Sequence, residues 1–364
     1  MNEALAGRRD FEGGAGDLGL CRFGCVIAHV ALLAFALAGH AQRPPAAEHH
    51  AHLQSPEAAR LLSSSSNPED EAEEPHTARD LIAALDAADV HESVALSDAY
   101  RFGAPWLHLP DEAAAVDREN AWTAAQAAQY PARLVAFCSV NPLKPYAEAA
   151  IRRCHALGMR GLKLHLANAG FHFDHAQDVR ALAGVFRLAN HYSMAILIHV
   201  RNAVQWDAAL AMRCFVEEVL PNAPDVVVQI AHVSGWGGYD RATDAGFSAL
   251  LDRCADRPSV CRRVYFDLAV VVLPASAASA KAGSDFRMLA DGQAGFAEGP
   301  RRLAANLRRA GLDRVLFATD WPDIAPAAYA DLLRTELPLE PRELDQLLGN
   351  RAPYFAALPD RRKQ

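Results

Sequence analysis

Histidines cluster near residue 50, in the stretch Glu48-His49-His50-Ala51-His52. Side chains two residues apart on a strand point to the same side, so His50 and His52 would face together and His49 would face away. Imidazoles are common zinc ligands, but two of them need further donors to complete a tetrahedral shell. The spacing therefore predicts half of a metal site.

Three further ligand-type residues each end a short apolar run. His199 closes Ile-Leu-Ile-His, His232 closes Gln-Ile-Ala-His, and Asp320 closes Leu-Phe-Ala-Thr-Asp. One histidine in such a position is usually just a hydrogen-bonded polar residue, but the recurrence favours a shared site. A set of imidazoles and a carboxylate suits Zn2+, or less often another divalent transition ion.

Eight strand-like runs alternate with amphipathic helical stretches along the chain. The runs are almost continuously apolar, as in strands that are buried on both faces. Helices are expected after the capping sequence at 77–80 and over 176–190 and 207–220. The strand-like runs cover residues 46–53, 92–97, 133–140, 161–166, 194–200, 226–233, 264–272 and 314–320.

This alternation predicts an α/β fold, a single-domain (β/α)8 TIM barrel. A doubly wound open sheet is the alternative, but no glycine-rich phosphate turn follows an early strand. Active sites of such barrels lie at the C-terminal ends of the strands, where the candidate ligands fall.

Composition excludes several classes of protein. The formal net charge is -8 and the chain of 364 residues has only four lysines, with no basic stripe, so we expect no nucleic-acid partner. The seven cysteines include no Cys-x-x-Cys pair, which favours buried thiols over a disulfide framework. Serine-hydrolase, P-loop and dinucleotide-binding motifs are absent from the sequence.

The N-terminus has features of a targeting segment. The apolar run 24–39 is shorter than the roughly 20 residues of a membrane span and suits the core of a signal peptide. We expect a signal peptide or leader over 1–41, disordered or helical, then the barrel over 46–357 and a tail over 358–364. The protein would be periplasmic or secreted, without stable membrane insertion. Acidic residues in the leader keep a cytoplasmic or N-terminally anchored chain as the alternative.

The motif set resembles the amidohydrolase superfamily, and within it the amidohydrolase-related group of metal-dependent barrel hydrolases. The resemblance covers roughly residues 46–357. It is carried by His-Ala-His on the first strand, Gly-Leu-Lys-Leu-His on the fourth, the histidines after the fifth and sixth, and Val-Leu-Phe-Ala-Thr-Asp-Trp-Pro on the eighth. The first strand departs from the family pattern, because the apolar residues that usually precede its histidines are missing.

This resemblance implies a role for each candidate. His50, His52, His199 and Asp320 would hold one divalent metal ion, with zinc as the expected species. Asp320 would also accept the proton of a metal-activated water, and His232 would polarise the substrate or donate to a developing oxyanion.

Other polar residues are candidates for substrate contact. Lys163 and His165 face the same side of the fourth strand. A carbamylated Lys163 would bridge two ions, as in some relatives, although a mononuclear site fits the Lys-Leu-His form better. Arg201 could bind a substrate carboxylate or pair with Asp207. Trp321 could line the pocket or serve only in packing.

Four further features of the sequence could support or enclose the site. Asp267 could support a ligand histidine, and the glycine-rich segment 234–240 could form an anion nest or a plain loop. The acidic insert 63–76 is expected to be a solvated loop, and the Ala/Gly/Ser-rich segment 274–300 could act as a lid.

Three functional hypotheses follow. The first is a metal-dependent hydrolase that uses metal-bound hydroxide on a small amide, lactone or ester. The second is a non-oxidative decarboxylase of an aromatic or unsaturated carboxylic acid on the same barrel. The third is a barrel whose metal site serves stability or metal capture without catalysis.

Overall fold

The structure is a computed structural model, and it describes residues 43–63, 74–274 and 284–358. The predicted leader lies outside these residues, as do most of the acidic insert and all of the C-terminal tail after Leu358. No helix within the described ranges is long and apolar enough to span a bilayer.

Eight parallel strands pair in chain order, β1 through β8, which confirms the predicted barrel. Their bounds are β1 Ala47–Leu53, β2 Glu92–Ser97, β3 Leu134–Ser139, β4 Gly161–His165, β5 Ala195–His199, β6 Val228–Ile230, β7 Val264–Asp267 and β8 Val315–Leu316. The last three strands are shorter than the apolar runs predicted, because the chain turns away from the sheet soon after the final paired residue.

Helices connect the strands and cover the outside of the sheet. They are α1 Pro56–Ser63, α2 Ala78–Ala87, α3 Glu112–Ala127, α4 Ala147–Ala156, α5 Leu166–Ala169, α6 Ala176–His191, α7 Ala208–Cys214, α8 Arg241–Asp256, α9 Ser284–Ala294, α10 Gly299–Ala310, α11 Pro326–Glu336 and α12 Pro341–Leu348. Thr77 caps α2 through the predicted capping box with Asp80. The helix expected over 207–220 ends earlier as an α-helix and continues as a π-helical turn over Phe215–Val219.

The barrel is closed between β1 and the segment that follows β8. The backbone N–H of His49 donates to the carbonyl of Phe317 (3.2 Å), and that of His52 donates to Trp321 (2.8 Å). The β1 segment, which carries His50 and His52, therefore lies beside the segment after β8, which carries Asp320.

Alternation along each strand separates the outer face from the barrel interior. On β5, Ile196 and Ile198 belong to the large cluster between sheet and helices. Leu197 packs instead in a second cluster with Phe137 and Phe355. His199 shares the face of Leu197 and so points into the barrel at its C-terminal end.

The cysteine prediction was wrong. Cys138 on β3 is disulfide-bonded to Cys154 on α4, and Cys254 is bonded to Cys261, while Cys214 is a buried free thiol. Each pair brings a helix against a neighbouring segment, with Cα atoms 6.1 Å and 5.4 Å apart. Cysteine spacing alone does not show such proximity, which depends on the folded backbone.

Candidate metal centre

A pocket of about 540 Å³ opens at the C-terminal end of the barrel. The side chains at its base come from different strand ends: His52 from β1, Asp98 after β2, Lys163 from β4, His199 from β5 and Asp320 after β8. Residues far apart in sequence thus converge where the barrel architecture places active sites.

Three ligand-type side chains meet at the base of the pocket. One ligand atom each from His50, His52 and Asp320 lies within 4.8 Å of the others, and this is the one such group among the described residues. Oδ1 of Asp320 is 3.1 Å from Nε2 of His50 and 3.3 Å from Nε2 of His52. Two imidazole nitrogens and a carboxylate are a donor set that suits a divalent transition ion.

A carboxylate holds the far side of each of these imidazoles. Nδ1 of His50 donates to Asp267 (3.0 Å), and Nδ1 of His52 donates to Asp98. The remaining nitrogen of each ring, Nε2, therefore faces Asp320. Such carboxylate–histidine pairs fix the tautomer and orientation of metal ligands in proteins.

Asp267 makes the more extensive contacts of the two carboxylates. It also accepts hydrogen bonds from the Gln229 side chain (2.7 Å) and from the backbone N–H of His232 (2.8 Å). Burial raises the pKa of Asp267, but the charge and hydrogen bond of His50 outweigh it and hold the pKa near 2. The sequence hypothesis that Asp267 supports a ligand histidine therefore agrees with its position.

His199 lies beside this group but outside it. Its ring is 5.1 Å from that of His232, and its ligand atoms are not among those within 4.8 Å of one another. Nδ1 of His199 is buried and has no hydrogen-bond partner among the residues that the structure describes. A buried polar atom without a partner is rare, so this nitrogen fits a metal ligand or a bound molecule.

Asp320 is the centre of the arrangement. It adopts a left-handed backbone conformation (φ 58°), as His232 does (φ 52°), at the points where the chain leaves β8 and β6. Such conformations are uncommon outside glycine and cluster at functional sites. Burial raises the pKa of Asp320, but His50, His52 and His232 outweigh it and hold the pKa well below its usual range.

The two β1 histidines differ in charge. Burial, followed by the charge of Lys163, lowers the pKa of His50 to about 4. Burial also lowers that of His52, but Asp98 and Asp320 outweigh it and raise the pKa to about 9. In the protein without metal, His50 is therefore neutral at pH 7 and His52 is cationic.

His232 is held in a defined tautomer. Its Nδ1 is 2.7 Å from the carbonyl oxygen of Ala269, which can only accept a hydrogen bond. Nδ1 therefore carries hydrogen, and the Nε2 atom 3.7 Å from Asp320 has a lone pair in the neutral ring. The expected donation from His232 to an oxyanion requires the imidazolium form.

Lys163 is buried at the base of the pocket. Its Nζ lies 2.7 Å from Nε2 of His50. Burial lowers its pKa, and the charges of Asp320, Asp267 and Asp98 act in the opposite direction. The amine thus lies beside the candidate ligands, which fits both hypotheses for Lys163, direct substrate contact and a bridging carbamate.

His165 belongs to a stack of aromatic rings along one wall of the pocket. Its ring lies 5.2 Å from Tyr100 with nearly parallel planes, and 3.9 Å from the ring of His199. Trp236 continues the stack beyond His199 at 6.4 Å. Nδ1 of His165 accepts from the N–H of Asn168 (3.2 Å), so Nε2 carries the hydrogen of the neutral ring.

Two substrate candidates do not line the pocket. Arg201 pairs with Asp240 (3.3 Å), and not with Asp207, and its guanidinium lies over the ring of Trp236. Asp207 instead caps α7. Trp321 packs in a buried cluster with Leu53 and its neighbours, which supports the packing interpretation over a place in the pocket wall.

The glycine-rich segment packs against α9, which supports the plain-loop interpretation. Gly237 and Gly238 have positive φ, and Gly238 N–H donates to the carbonyl of Val270 (2.7 Å). A Cβ on Gly238 would lie 2.7 Å from the carbonyl oxygen of Leu289 in α9. The glycines therefore let α9 approach closely, and Met288 and Leu289 of that helix line the pocket.

His49 and Asp98 are neighbours of the candidate ligands in the sequence or at the strand ends. His49 points away, as strand alternation predicts, because its Nδ1 donates to Phe317 and its Nε2 accepts from Ala352. Sequence reasoning missed Asp98, Tyr100 and other pocket residues. Asp98 directly follows the apolar run of β2, so the strand-end rule applied to the histidines could have found it.

Comparison with known proteins gives a family. Residues 40–352 match the family model described as Amidohydrolase. The chain belongs to the amidohydrolase family. It is therefore an enzyme of the metal-dependent amidohydrolase type, as the motif resemblance predicts. No curated protein matches the amidohydrolase chain in sequence.

Solved structures with similar folds include both decarboxylases and hydrolases. A 5-carboxyvanillate decarboxylase from Novosphingobium aromaticivorans with bound manganese has a TM-score of 0.59 at 13% identity, over 87% of this chain and 99% of that one. A 2,6-dihydroxybenzoate decarboxylase from Rhizobium has a TM-score of 0.57 at 15% identity, covering 86% and 99%. A putative 2-pyrone-4,6-dicarboxylic acid hydrolase from Pseudomonas putida has a TM-score of 0.56 at 15% identity, covering 87% and 100%. At these identities the likeness shows the fold.

Proposed function

We propose that this amidohydrolase is a hydrolase of a small amide, lactone or ester that uses one divalent ion, with zinc as the resident species. The observation that carries the proposal is the convergence of His50, His52 and Asp320 at the base of the pocket. His199 would complete the ligand set, since its buried Nδ1 has no hydrogen-bond partner within the described part of the chain. Two ions are the alternative if Lys163 is carbamylated.

A bound divalent ion would lower the pKa of a coordinated water towards neutrality and polarise the scissile carbonyl. Among the protein side chains, Asp320 would be the first to take part in proton transfer. Its carboxylate is charged at neutral pH and would accept a proton from the attacking water. Because its pKa is low, Asp320 holds that proton weakly and passes it on readily.

His232 is the proposed acceptor for that proton, because the closer Nε2 atoms of His50 and His52 would be bound to the ion. Its lone pair at Nε2 lies 3.7 Å from Asp320, and the Ala269 carbonyl keeps the ring in place. Once protonated, Nε2 can donate to the oxyanion or the leaving group. In this scheme His232 acts first as a base and then as an acid.

Lys163 and His165 remain proposed substrate contacts, because both line the pocket beside the candidate ligands. The Nε2–H of neutral His165 is a hydrogen-bond donor available to a substrate oxygen. Arg201 and Trp321 lie outside the pocket lining and are not part of the proposed substrate site.

Non-oxidative decarboxylation of an aromatic or unsaturated acid is the second candidate. Its support is the presence of decarboxylases among the solved structures with this fold. Both reactions can be followed on one panel of small lactones, esters, amides and aromatic acids. Release of carbon dioxide would identify the decarboxylase, and formation of the hydrolytic product would identify the hydrolase.

The replacement Asp320→Asn tests whether the centre is catalytic. An enzyme should lose turnover by a factor of about 100 or more while it retains much of its metal, since the amide oxygen can still bind. Equal turnover in Asp320→Asn and wild-type protein would instead support a metal site kept for stability or metal capture.

Export to the periplasm or medium is a further part of the proposal. The two disulfide bonds support it, because disulfides persist mainly in oxidising compartments. Cell fractionation with N-terminal sequencing tests it. A mature chain that begins near Gln42 in the exported fraction is expected, and an unprocessed chain in the cytosol would contradict export.

A further inference from the structure

Among the described residues, Asp98 is the carboxylate that contacts Nδ1 of His52, the ring nitrogen turned away from Asp320. It begins the 3-10 turn Asp98–Gly103 that follows β2, and its Oδ1 accepts from Nδ1 of His52. The side chains of Asp98 and His52 are only 7% and 12% exposed. Neither the family resemblance nor the motif spacing assigns Asp98 a role.

The contact determines which nitrogen of His52 faces the site. A carboxylate accepts hydrogen bonds, so Nδ1 of His52 carries hydrogen. Nε2 is then the atom turned towards Asp320, at 3.3 Å. Without Asp98, the ring could rotate, or its neutral metal-binding form could adopt the other tautomer, because no other group among the described residues hydrogen-bonds to Nδ1.

Asp98 is itself held firmly. Its second oxygen, Oδ2, lies 3.7 Å from the guanidinium of Arg101. The N–H of Tyr100 donates to Oγ of Ser139 on β3 (2.7 Å), which anchors the turn against the barrel. A carboxylate with one oxygen towards an arginine and the other towards an imidazole has a fixed orientation.

We propose that Asp98 is the positioning residue that holds His52 in the orientation and tautomer required to bind the divalent ion. It acts on His52 as Asp267 acts on His50, but from the end of β2 instead of the end of β7. The inference rests on the proposed metal site. Asp98 acts through the imidazole and not as a ligand, since it lies on the far side of that ring.

A double-mutant cycle on metal affinity tests this role. The affinity of full-length protein for Mn2+ and for Zn2+ is measured by competition with a chromophoric chelator, so no substrate is needed. The variants are Asp98→Ala, Asp98→Asn, His52→Ala and the double variant Asp98→Ala/His52→Ala. Asp323→Asn is the matched control, because Asp323 also lines the pocket, and among the described residues its side chain makes no hydrogen bond to a candidate ligand; only its backbone N–H does, to the carbonyl of Asp320 (2.9 Å).

Asp98→Ala should weaken metal binding about 10- to 100-fold, the usual effect of removing such a support. Asp98→Asn should weaken it less, because the amide oxygen can still accept from Nδ1 of His52. In the His52→Ala background, removal of the Asp98 carboxylate should have no further effect. Asp323→Asn should cost markedly less affinity than Asp98→Ala.

Three results would overturn the inference. These are an unchanged affinity in Asp98→Ala, an equal loss with and without His52, or an equal loss in Asp323→Asn, which would indicate only a general effect of charge. Thermal melting of the metal-free variants checks that they fold, and Asp98→Asn replaces Asp98→Ala if the latter does not. If His52→Ala itself binds metal as well as wild type, the proposed metal site fails together with the inference.

Discussion

The Nδ1 atom of His232 donates to the carbonyl oxygen of Ala269 at 2.7 Å, and this contact leaves Nε2 without hydrogen in the neutral ring. The ring therefore faces Asp320 as a proton acceptor. A histidine held in this way cannot serve as an oxyanion donor until it has gained a proton. The order of proton transfers in the proposed mechanism follows from that constraint.

Replacement of His232 by Asn should separate catalysis from metal binding. We expect kcat to fall by about 100- to 10,000-fold, the usual contribution of a general acid–base group. Metal content should stay near that of wild type, because His232 is not in the group formed by His50, His52 and Asp320. Loss of the metal in this variant would show that His232 is a ligand, and its assigned role would be wrong.

Asp267 should matter more for stability than Asp98 does. Asp267 is fully buried and accepts from His50, Gln229 and the backbone of His232. Asp267→Ala would leave several buried donors unpaired, at a cost of about 3 kcal/mol or more. Urea unfolding of the metal-free variants measures it, and a smaller loss in Asp267→Ala than in Asp98→Ala would contradict this ranking.

Glu119 should make the stability of the protein depend on pH. Burial raises its pKa from 4.5 to about 7, against the hydrogen bonds that it accepts from Ser55. Because the folded protein favours the protonated acid, the contribution of Glu119 to stability is complete below about pH 4.5 and is lost as pH rises through 7.

The variant Glu119→Gln cannot ionise, so its stability relative to wild type should increase between pH 5 and pH 8. The gain should be at most about 3 kcal/mol, from 1.4 kcal/mol per pKa unit. Thermal melting of both proteins over this pH range measures the difference. A difference that does not change with pH would exclude a shifted Glu119.

Peptide mapping should find two disulfide bonds in unreduced protein. Proteolysis without reductant, followed by mass spectrometry, should yield one linked pair of peptides containing Cys138 and Cys154 and another containing Cys254 and Cys261. Cys214 should be alkylated only after unfolding, since it is buried and free. Five alkylated thiols among these positions in unreduced, unfolded protein would refute both bonds and weaken the case for export.

The sequence predicts the barrel because each buried parallel strand is a short apolar run that ends at a polar residue. The same pattern places His199 and Asp320 at one end of the barrel, and strand alternation turns His50 and His52 to one side of β1. Strand length was overestimated at β6 to β8, where apolar residues continue past the last paired residue. Hydrophobicity reports burial, and residues after a strand can be just as buried as those within it.

The sequence does not predict the partners of polar side chains. Arg201 was expected to meet a substrate or Asp207, and it meets Asp240 instead. Trp321 adjoins the site in sequence, yet it packs in the core. These outcomes depend on loop paths, and short-range patterns carry little information about them. For Asp98 the sequence does predict the position, because this residue directly follows the apolar run of β2.

Metal stoichiometry tests the central claim most directly. Elemental analysis of the purified full-length protein, and of the variant His50→Ala/His52→Ala, should follow dialysis against metal-free buffer. Close to one divalent ion per wild-type chain, with almost none in the variant, is the predicted result; close to two would bring Lys163 into the centre. Wild-type protein without metal, or a variant that retains as much metal as wild type, would contradict the account.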